Sequence, residues 1–260
     1  MHHDVAELER QLLKAAAAPY EGAPLPRPGP TLAQAYAIQR KIAACGNLPV
    51  MVWKLGLTGR EARDAFGADE PTIGRLVASA IYCDRSDVDF VGAEMFAEAE
   101  LIFEMGDDLP MQDRPYTRDD LCGALKGVYA GIEIVRTRFE TSELPLALLI
   151  ADNSMAHGLL LGRKLADGWD DRFADLPVSL TRNDEAPVNG STARVMGNPL
   201  DALVWLANWL CENEGSSLRR EQLIAAGTCT GVTEIQAGDT IRVTIDGIES
   251  ARVTLRGQNV

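Results

Sequence analysis

The chain has 260 residues, of which 46% are hydrophobic and 24% charged, and its formal net charge is −13. This composition supports an ordinary globular core, while the acidic balance argues against nucleic acid or an anionic membrane surface, both of which call for clustered Lys and Arg. No apolar run reaches the ~18–20 residues of a membrane span, and Met1–Val5 does not read as the start of a signal peptide.

In chain order, Asp4 to about Ala17 has the spacing of an amphipathic helix, with Val5, Leu8, Leu12 and Leu13 on one side. Pro19 to Pro30 is rich in proline and reads as a connecting loop. Thr31-Leu-Ala-Gln34 is a capping-box pattern that opens a second helix to about Ala44, ended by Gly46. These residues predict a small helical subdomain over 1–48, followed by a β-rich domain over 49–260. In the second part Val50–Leu55 predicts a strand, Arg60 to Phe66 a short helix closed by Gly67, and Arg118 to Lys126 another helix. Glu98–Phe103 and Tyr129–Val135 are strongly apolar strands. Asn198-Pro199 pairs an N-cap with proline at the first helical position and starts a helix to about Asn213, with Gly215 beyond its end. Ile241–Ile245 and Ile248–Leu255 flank Asp246-Gly247, a type I′ hairpin signal. Strands and helices do not alternate regularly, so the pattern predicts an α+β fold with a curved, mixed sheet rather than a doubly wound one.

Cysteine and histidine usage narrows the chemistry. Cys45, Cys83, Cys122, Cys211 and Cys229 are scattered without a C-x-x-C pair, which reads as a reduced, cytoplasmic protein. His2 and His3 sit at the N-terminus, leaving His157 as the sole interior histidine. That excludes a zinc site built from several histidines and H-E-x-x-H chemistry. The chain also lacks a G-x-S-x-G elbow, a Walker A loop and a G-x-G-x-x-G turn.

Glu98 and Glu100 stand two apart in an apolar strand, so their carboxylates share one face. Glu133 sits in a second apolar strand, Gly131-Ile-Glu-Ile-Val135. Like charges in a partly buried place repel and lose hydration. Either each glutamate faces solvent or pairs with a basic residue, or the three hold a hard divalent cation such as Mg²⁺ or Mn²⁺. Lys54, flanked by apolar residues, is either a strand-end lysine snorkelling to water or a group that orients a carboxylate or moves protons. His157 reads as a packed or surface residue rather than a catalyst, and Asp152-Asn153 as a strand-to-loop turn. Gly227-Thr-Cys-Thr-Gly231 either presents N–H groups and hydroxyls to an anion or is an ordinary tight connection.

Taken in order, Lys54-Leu-Gly-Leu-Thr58, Glu98-Ala-Glu100, Glu133-Ile-Val135, Asp152-Asn153, Gly197 to Asn208, Gly227 to Gly231 and Ala237-Gly-Asp239 resemble one family along nearly the whole chain. It is the family of 2-keto-4-pentenoate hydratases and 2-oxo-3-hexenedioate (4-oxalocrotonate) decarboxylases, within the fumarylacetoacetase superfamily. The resemblance implies a small N-terminal helical region on a curved mixed sheet of fumarylacetoacetase C-terminal type, a Mg²⁺ or Mn²⁺ cofactor on Glu98, Glu100 and Glu133, and Lys54 as the active-site lysine. It also implies Asn153, Ser154, Thr228 and Thr230 as substrate-binding residues. The substrate would be a small 2-oxo or 2-hydroxy acid from aromatic meta-cleavage, acted on by a homo-oligomer that can associate with a paired pathway enzyme. One departure stands out. Many hydratases of the family carry an aspartate just after the proline of the segment that here reads Gly67-Ala-Asp-Glu-Pro-Thr-Ile-Gly74, so this chain has Thr72 there. Asp69 and Glu70 are the nearby candidates for proton handling.

Overall fold

The computed structural model describes residues 2–17, 22–44, 47–91 and 94–257. Gly46, expected to end the second helix, lies outside the described residues, as do Cys45 and Pro19. The helices are α1 (His2–Ala17), α2 (Leu32–Ala44), α3 (Arg60–Phe66), α4 (Arg118–Ala124), α5 (Leu146–Ala151) and α6 (Pro199–Glu214). The strands are β1 (Val52–Gly56), β2 (Thr72–Leu76), β3 (Ile81–Cys83), β4 (Asp87–Asp89), β5 (Met95–Met105), β6 (Leu125–Arg136), β7 (Ala156–Ala166), β8 (Pro177–Arg182), β9 (Val188–Ser191), β10 (Leu223–Thr228), β11 (Thr233–Ile235), β12 (Thr240–Ile245) and β13 (Ile248–Arg256).

Local signals form these elements as the sequence predicts. Thr31 and Gln34 exchange the two hydrogen bonds of a capping box at the start of α2. Gly67 closes α3 and Gly215 closes α6, both left-handed. The Asn198 side chain accepts from the Leu200 N–H ahead of Pro199. Asp246 and Gly247 both have positive φ and join β12 to β13, as a type I′ turn requires.

The larger sheet has eight strands in the order β2-β1-β10-β5-β6-β7-β3, with β11 also pairing β5. It is mixed: β1 runs parallel to β10 and β3 to β7, and the other pairs are antiparallel. A second sheet of five strands has the order β4-β13-β12-β8-β9. The second sheet and α6 cover the outer face of the first, where Ala97, Ala99, Leu101, Phe103 and Met105 of β5 join the main core. The inner face carries a smaller apolar cluster of Val52, Leu76, Ile102, Ala156, Leu159, Leu223 and Ala225. Alternation along each strand separates the two sets.

The larger sheet curls until β2, at one edge, meets the turn that leads into β7. Asn153 makes this seam: its amide donates to the Arg75 carbonyl and its carbonyl oxygen accepts from the Arg75 N–H, at 2.8 and 2.9 Å. The Ser154 hydroxyl donates to the Ile73 carbonyl at 2.8 Å. Gln39 of α2 braces the same place, donating to the Ile73 and Ile150 carbonyls and accepting from Arg75. Arg75 also pairs with Glu214 of α6 and lies over the Trp53 ring.

The N-terminal helices do not close a core by themselves. Leu8, Leu12, Ala35 and Ile38 pack with Phe139, Leu144, Leu148 and Ile150 from around α5. Asp152 and Asn153 follow helix α5 rather than a strand, so this turn joins a helix to β7. Strands β2, β7 and β9 have no marked alternation in the sequence. In β7 the reason is partly Gly162, where a Cβ would lie 2.5 Å from the Ser250 carbonyl of the second sheet.

Gln39→Leu should cost about 1–3 kcal/mol by leaving the Ile73 and Ile150 carbonyls and Arg75 short of a partner. Urea unfolding checks this, and wild-type stability in the variant would remove Gln39 from the seam.

Candidate active site at the mouth of the curled sheet

The paired strands β5 and β6 bring the glutamates together. Glu98 and Glu133 are direct cross-strand partners, and Glu100 faces Gly131. All three project to the inner face, beside Ile102 and Leu159. Glu100 and Glu133 are fully buried and Glu98 is 7% exposed. One oxygen from each lies within 4.8 Å of the others. Like charges directly opposite on a sheet destabilise it, so the cluster favours taking up protons or a cation.

Only part of the charge is met by the protein. Glu100 Oε2 accepts the Gly227 N–H at 2.9 Å. Lys54 Nζ lies 3.5 Å from Glu133 Oε2 and 3.9 Å from Glu98 Oε2, and donates to the Ser154 carbonyl at 2.9 Å. Glu100 Oε1 and both oxygens of Glu133 are buried with no hydrogen-bond partner among the described residues. Buried, unpaired carboxylate oxygens are rare and costly. Three oxygens from three residues suit a hard cation, with coordination positions left for water or substrate. The residues therefore fit Mg²⁺ or Mn²⁺, and the all-oxygen set does not suit the soft-ligand sites of zinc or copper.

The electrostatics agree. Burial pushes Glu100 well above the usual carboxylate range; Glu133 and Glu98 add to the rise, and the Gly227 N–H and Lys54 oppose it. Glu133 is raised to about 8, chiefly by burial, with Lys54 pulling down and Glu98 pushing up. Burial acts to lower Lys54, but Glu133, Glu98 and Glu100 together outweigh it, so its affinity for a proton is raised and it stays an ammonium. It is 5% exposed and does not snorkel to water.

The backbone that aims Lys54 is unusual. Asn153, Ser154 and Met155 all have positive φ, a left-handed turn of three residues that points the Ser154 carbonyl at Nζ. Asp152 anchors the turn from below, accepting from the Thr137 hydroxyl and from the Arg138 N–H and guanidinium. Asn153 and Ser154, expected as substrate ligands, instead spend their side chains on the backbone of β2. They position Lys54 through the turn. This role needs a fold-wide seam and leaves no signal in the local sequence.

The loop after β1 packs onto the end of β10. A Cβ at Gly227, whose φ is +116°, would lie 2.1 Å from Thr58 Oγ1. Thr228 Oγ1 accepts the Gly231 N–H and donates to the Gly231 carbonyl, and the Thr230 hydroxyl donates to the same carbonyl. Both expected substrate-binding hydroxyls are thus engaged inside their own turn, while the Gly227 N–H meets an acid of the site itself. Asp69 and Glu70 are exposed in the turn before β2. The expectation that either handles protons does not match this placement, because the strand that follows carries Thr72, not those carboxylates, into the interior. Thr72 is 1% exposed, and its hydroxyl has no partner among the described residues. His157 is largely buried; burial, with Arg136 and Arg138 adding, pushes it down to about 3, so its ring is neutral.

Residues 54–256 match the model of the fumarylacetoacetate (FAA) hydrolase C-terminal family. The chain belongs to this family. It is 28% identical to the 2-keto-4-pentenoate hydratase of Burkholderia vietnamiensis, over 97% of each chain. It is 27% identical to the 4-oxalocrotonate decarboxylase of Pseudomonas putida, over 86% of this chain and 85% of that one. Among solved structures, a 4-oxalocrotonate decarboxylase from Pseudomonas putida complexed with magnesium and adipate superposes with a TM-score of 0.86 at 23% identity, covering 98% of both chains. A fumarylpyruvate hydrolase from Pseudomonas aeruginosa in complex with Mn²⁺ and pyruvate gives 0.62 at 15% identity, covering 81% of this chain and 91% of that one. The expected fold is thus the one observed: a curled, mixed sheet of the FAA hydrolase C-terminal type with few helices.

A carboxyl raised by burial must shed its proton to bind a cation. Metal affinity should therefore rise between pH 5.5 and pH 8, and the stabilisation that Mn²⁺ adds should grow over the same range. His157 is lowered, so its own contribution to stability appears above its unfolded value and is lost as pH falls; it cancels when metal-loaded and metal-free protein are compared at each pH. At Mn²⁺ a hundredfold above its Kd the gain is about 2.7 kcal/mol. Glu133→Gln should shrink that gain and flatten its pH dependence, and an unchanged thermal shift in the variant would remove Glu133 from the site.

Proposed function

We propose that this protein is a divalent-metal-dependent hydratase that adds water to a 2-hydroxy-2,4-dienoate, through its 2-oxo-enoate form, giving a 4-hydroxy-2-oxo acid. The observation that carries the reading is the set of buried carboxylate oxygens of Glu100 and Glu133, without a hydrogen-bond partner among the described residues, beside a buried ammonium. Whole-length similarity to 2-keto-4-pentenoate hydratases supports it. Glu98, Glu100 and Glu133 hold the cation. Bound there, the cation would act as a Lewis acid and stabilise negative charge that develops on the keto oxygen of a 2-oxo acid. Lys54 Nζ, fixed by the Ser154 carbonyl, orients the substrate carboxylate and moves a proton. Asn153 and Ser154 act as positioning residues. The apolar floor of Val52, Ile102 and Leu159 keeps bulk water from the reacting end.

Decarboxylation of a 2-oxo-3-hexenedioate is the second reading. The neutral Thr72 hydroxyl favours it, since no carboxylate stands there to handle a proton, and the similarity to 4-oxalocrotonate decarboxylase supports it. The same electron sink would take the electrons released as CO₂ leaves. With either reading goes a cytoplasmic homo-oligomer, without nucleic-acid or membrane partners, acting in aromatic meta-cleavage and able to pair with the neighbouring pathway enzyme. Residues 49–260 form its catalytic portion. Among the described residues no helix is long and apolar enough to cross a membrane.

Incubation of the Mn²⁺-loaded protein with 2-hydroxypenta-2,4-dienoate should yield the 4-hydroxy-2-oxo acid. Release of CO₂ from 2-oxo-3-hexenedioate, with the dienoate untouched, would identify the decarboxylase. Turnover of neither would leave a silent partner subunit. Lys54→Met should lower kcat by about 10²-fold, the scale of one lost acid–base group, with Mn²⁺ affinity retained. Wild-type turnover in that variant would end the assignment of Lys54.

A further inference from the structure

Thr72 is the inner-face polar group that the cation site and Lys54 leave unused. Its strand neighbours make its position clear. Thr72 pairs with Gly56, and Gly74 pairs with Lys54, so on β1 and β2 the row above Lys54 is Thr72 and Gly56. Gly56 lets the threonine side chain lean over β1. A Cβ at Gly56 would lie 2.6 Å from Thr72 Oγ1, 3.8 Å from Lys54 Nζ and 4.0 Å from the Ser154 Cβ. The hydroxyl and the ammonium therefore border the same Gly56 gap, the hydroxyl on the β2 side, while the carboxylates lie on the β5 and β6 side.

A threonine hydroxyl carries one donor and two acceptor lone pairs. When buried it ordinarily has a hydrogen-bond partner. Ser154, in the turn before β7, has one, donating to the Ile73 carbonyl next door. Thr72 Oγ1 has no such partner among the described residues, although the residue is 1% exposed. Burying a hydroxyl unpaired is unfavourable, so its partner is expected to arrive with the ligand.

We infer that Thr72 is a substrate-contacting residue, whose hydroxyl hydrogen-bonds the oxygen on C4 of a 4-hydroxy-2-oxo acid. This rests on the hydratase reading above and sharpens it. The chelating carboxylate and keto oxygens are taken by the cation and by Lys54. The next oxygen along such a ligand is the one on C4, two carbons beyond the keto carbon. Thr72 lies past Lys54 from the carboxylates, where that oxygen needs a partner. The threonine holds it and transfers no proton, since an aliphatic hydroxyl does not titrate near neutral pH. It therefore acts on the position of the added oxygen, and the proton traffic is left to Lys54.

The test compares two ligands that differ by one oxygen, 4-hydroxy-2-oxopentanoate and 2-oxopentanoate, by calorimetry on the Mn²⁺-loaded protein. Wild type should bind the hydroxylated acid about fivefold more tightly or better, the effect of one satisfied hydrogen bond. Thr72→Val, which keeps the shape and removes the hydroxyl, should erase that preference and leave 2-oxopentanoate and Mn²⁺ affinity unchanged. Thr72→Ser should restore the preference. The inference is overturned if wild type shows no preference or binds neither acid, if Thr72→Val keeps the preference, or if valine and serine variants weaken both ligands alike. Should wild type turn over no dienoate yet show the preference and lose it in Thr72→Val, the hydratase reading fails and the Thr72 contact stands.

Discussion

The structure depends on a cross-strand pair that a sheet would ordinarily reject. Glu98 and Glu133 face each other directly on β5 and β6, with Glu100 one pleat along. Two carboxylates so placed repel, and burial removes the water that would screen them. One ammonium, Lys54, reaches the cluster at 3.5 and 3.9 Å, which is too little positive charge for three acids. The remaining deficit suits the three carboxylates to a hard cation.

Much of the rest of the fold serves to hold that arrangement. The sheet must curl for β1 to bring Lys54 toward β5 and β6, and the curl is fixed where β2 meets the left-handed turn at Asn153–Met155. That seam is polar: Gln39, Arg75, Asn153 and Ser154 tie α2, β2 and the turn together through backbone carbonyls. The N-terminal helices, which contribute nothing directly to the acids, therefore act on the site through Gln39. On the far side the Gly227 N–H fixes one oxygen of Glu100 and leaves the other free.

The acids of the candidate site were legible in the sequence because a glutamate inside an apolar strand is conspicuous, and alternation alone puts Glu98 and Glu100 on one face. Cap and turn chemistry was legible for the same local reason, as at Thr31, Gly67, Asn198 and Asp246-Gly247. Roles set by tertiary contact were not. Asn153 and Ser154 look like ligand-binding polar residues until β2 arrives and takes both side chains. Thr228 and Thr230 have the composition of an anion loop, but their hydroxyls close on Gly231. Thr72 carried no signal as a site residue beyond the acid it lacks, because an unpaired hydroxyl is a property of packing. Strand β7 was hidden by its glycines, one of which exists to let the second sheet approach.

The most direct test of the account is anomalous diffraction from crystals soaked in Mn²⁺. A single strong peak should appear enclosed by the carboxylates of Glu98, Glu100 and Glu133, with Lys54 Nζ close by but not a ligand. A Mn²⁺ peak elsewhere, or none between these carboxylates at saturating Mn²⁺, would contradict it.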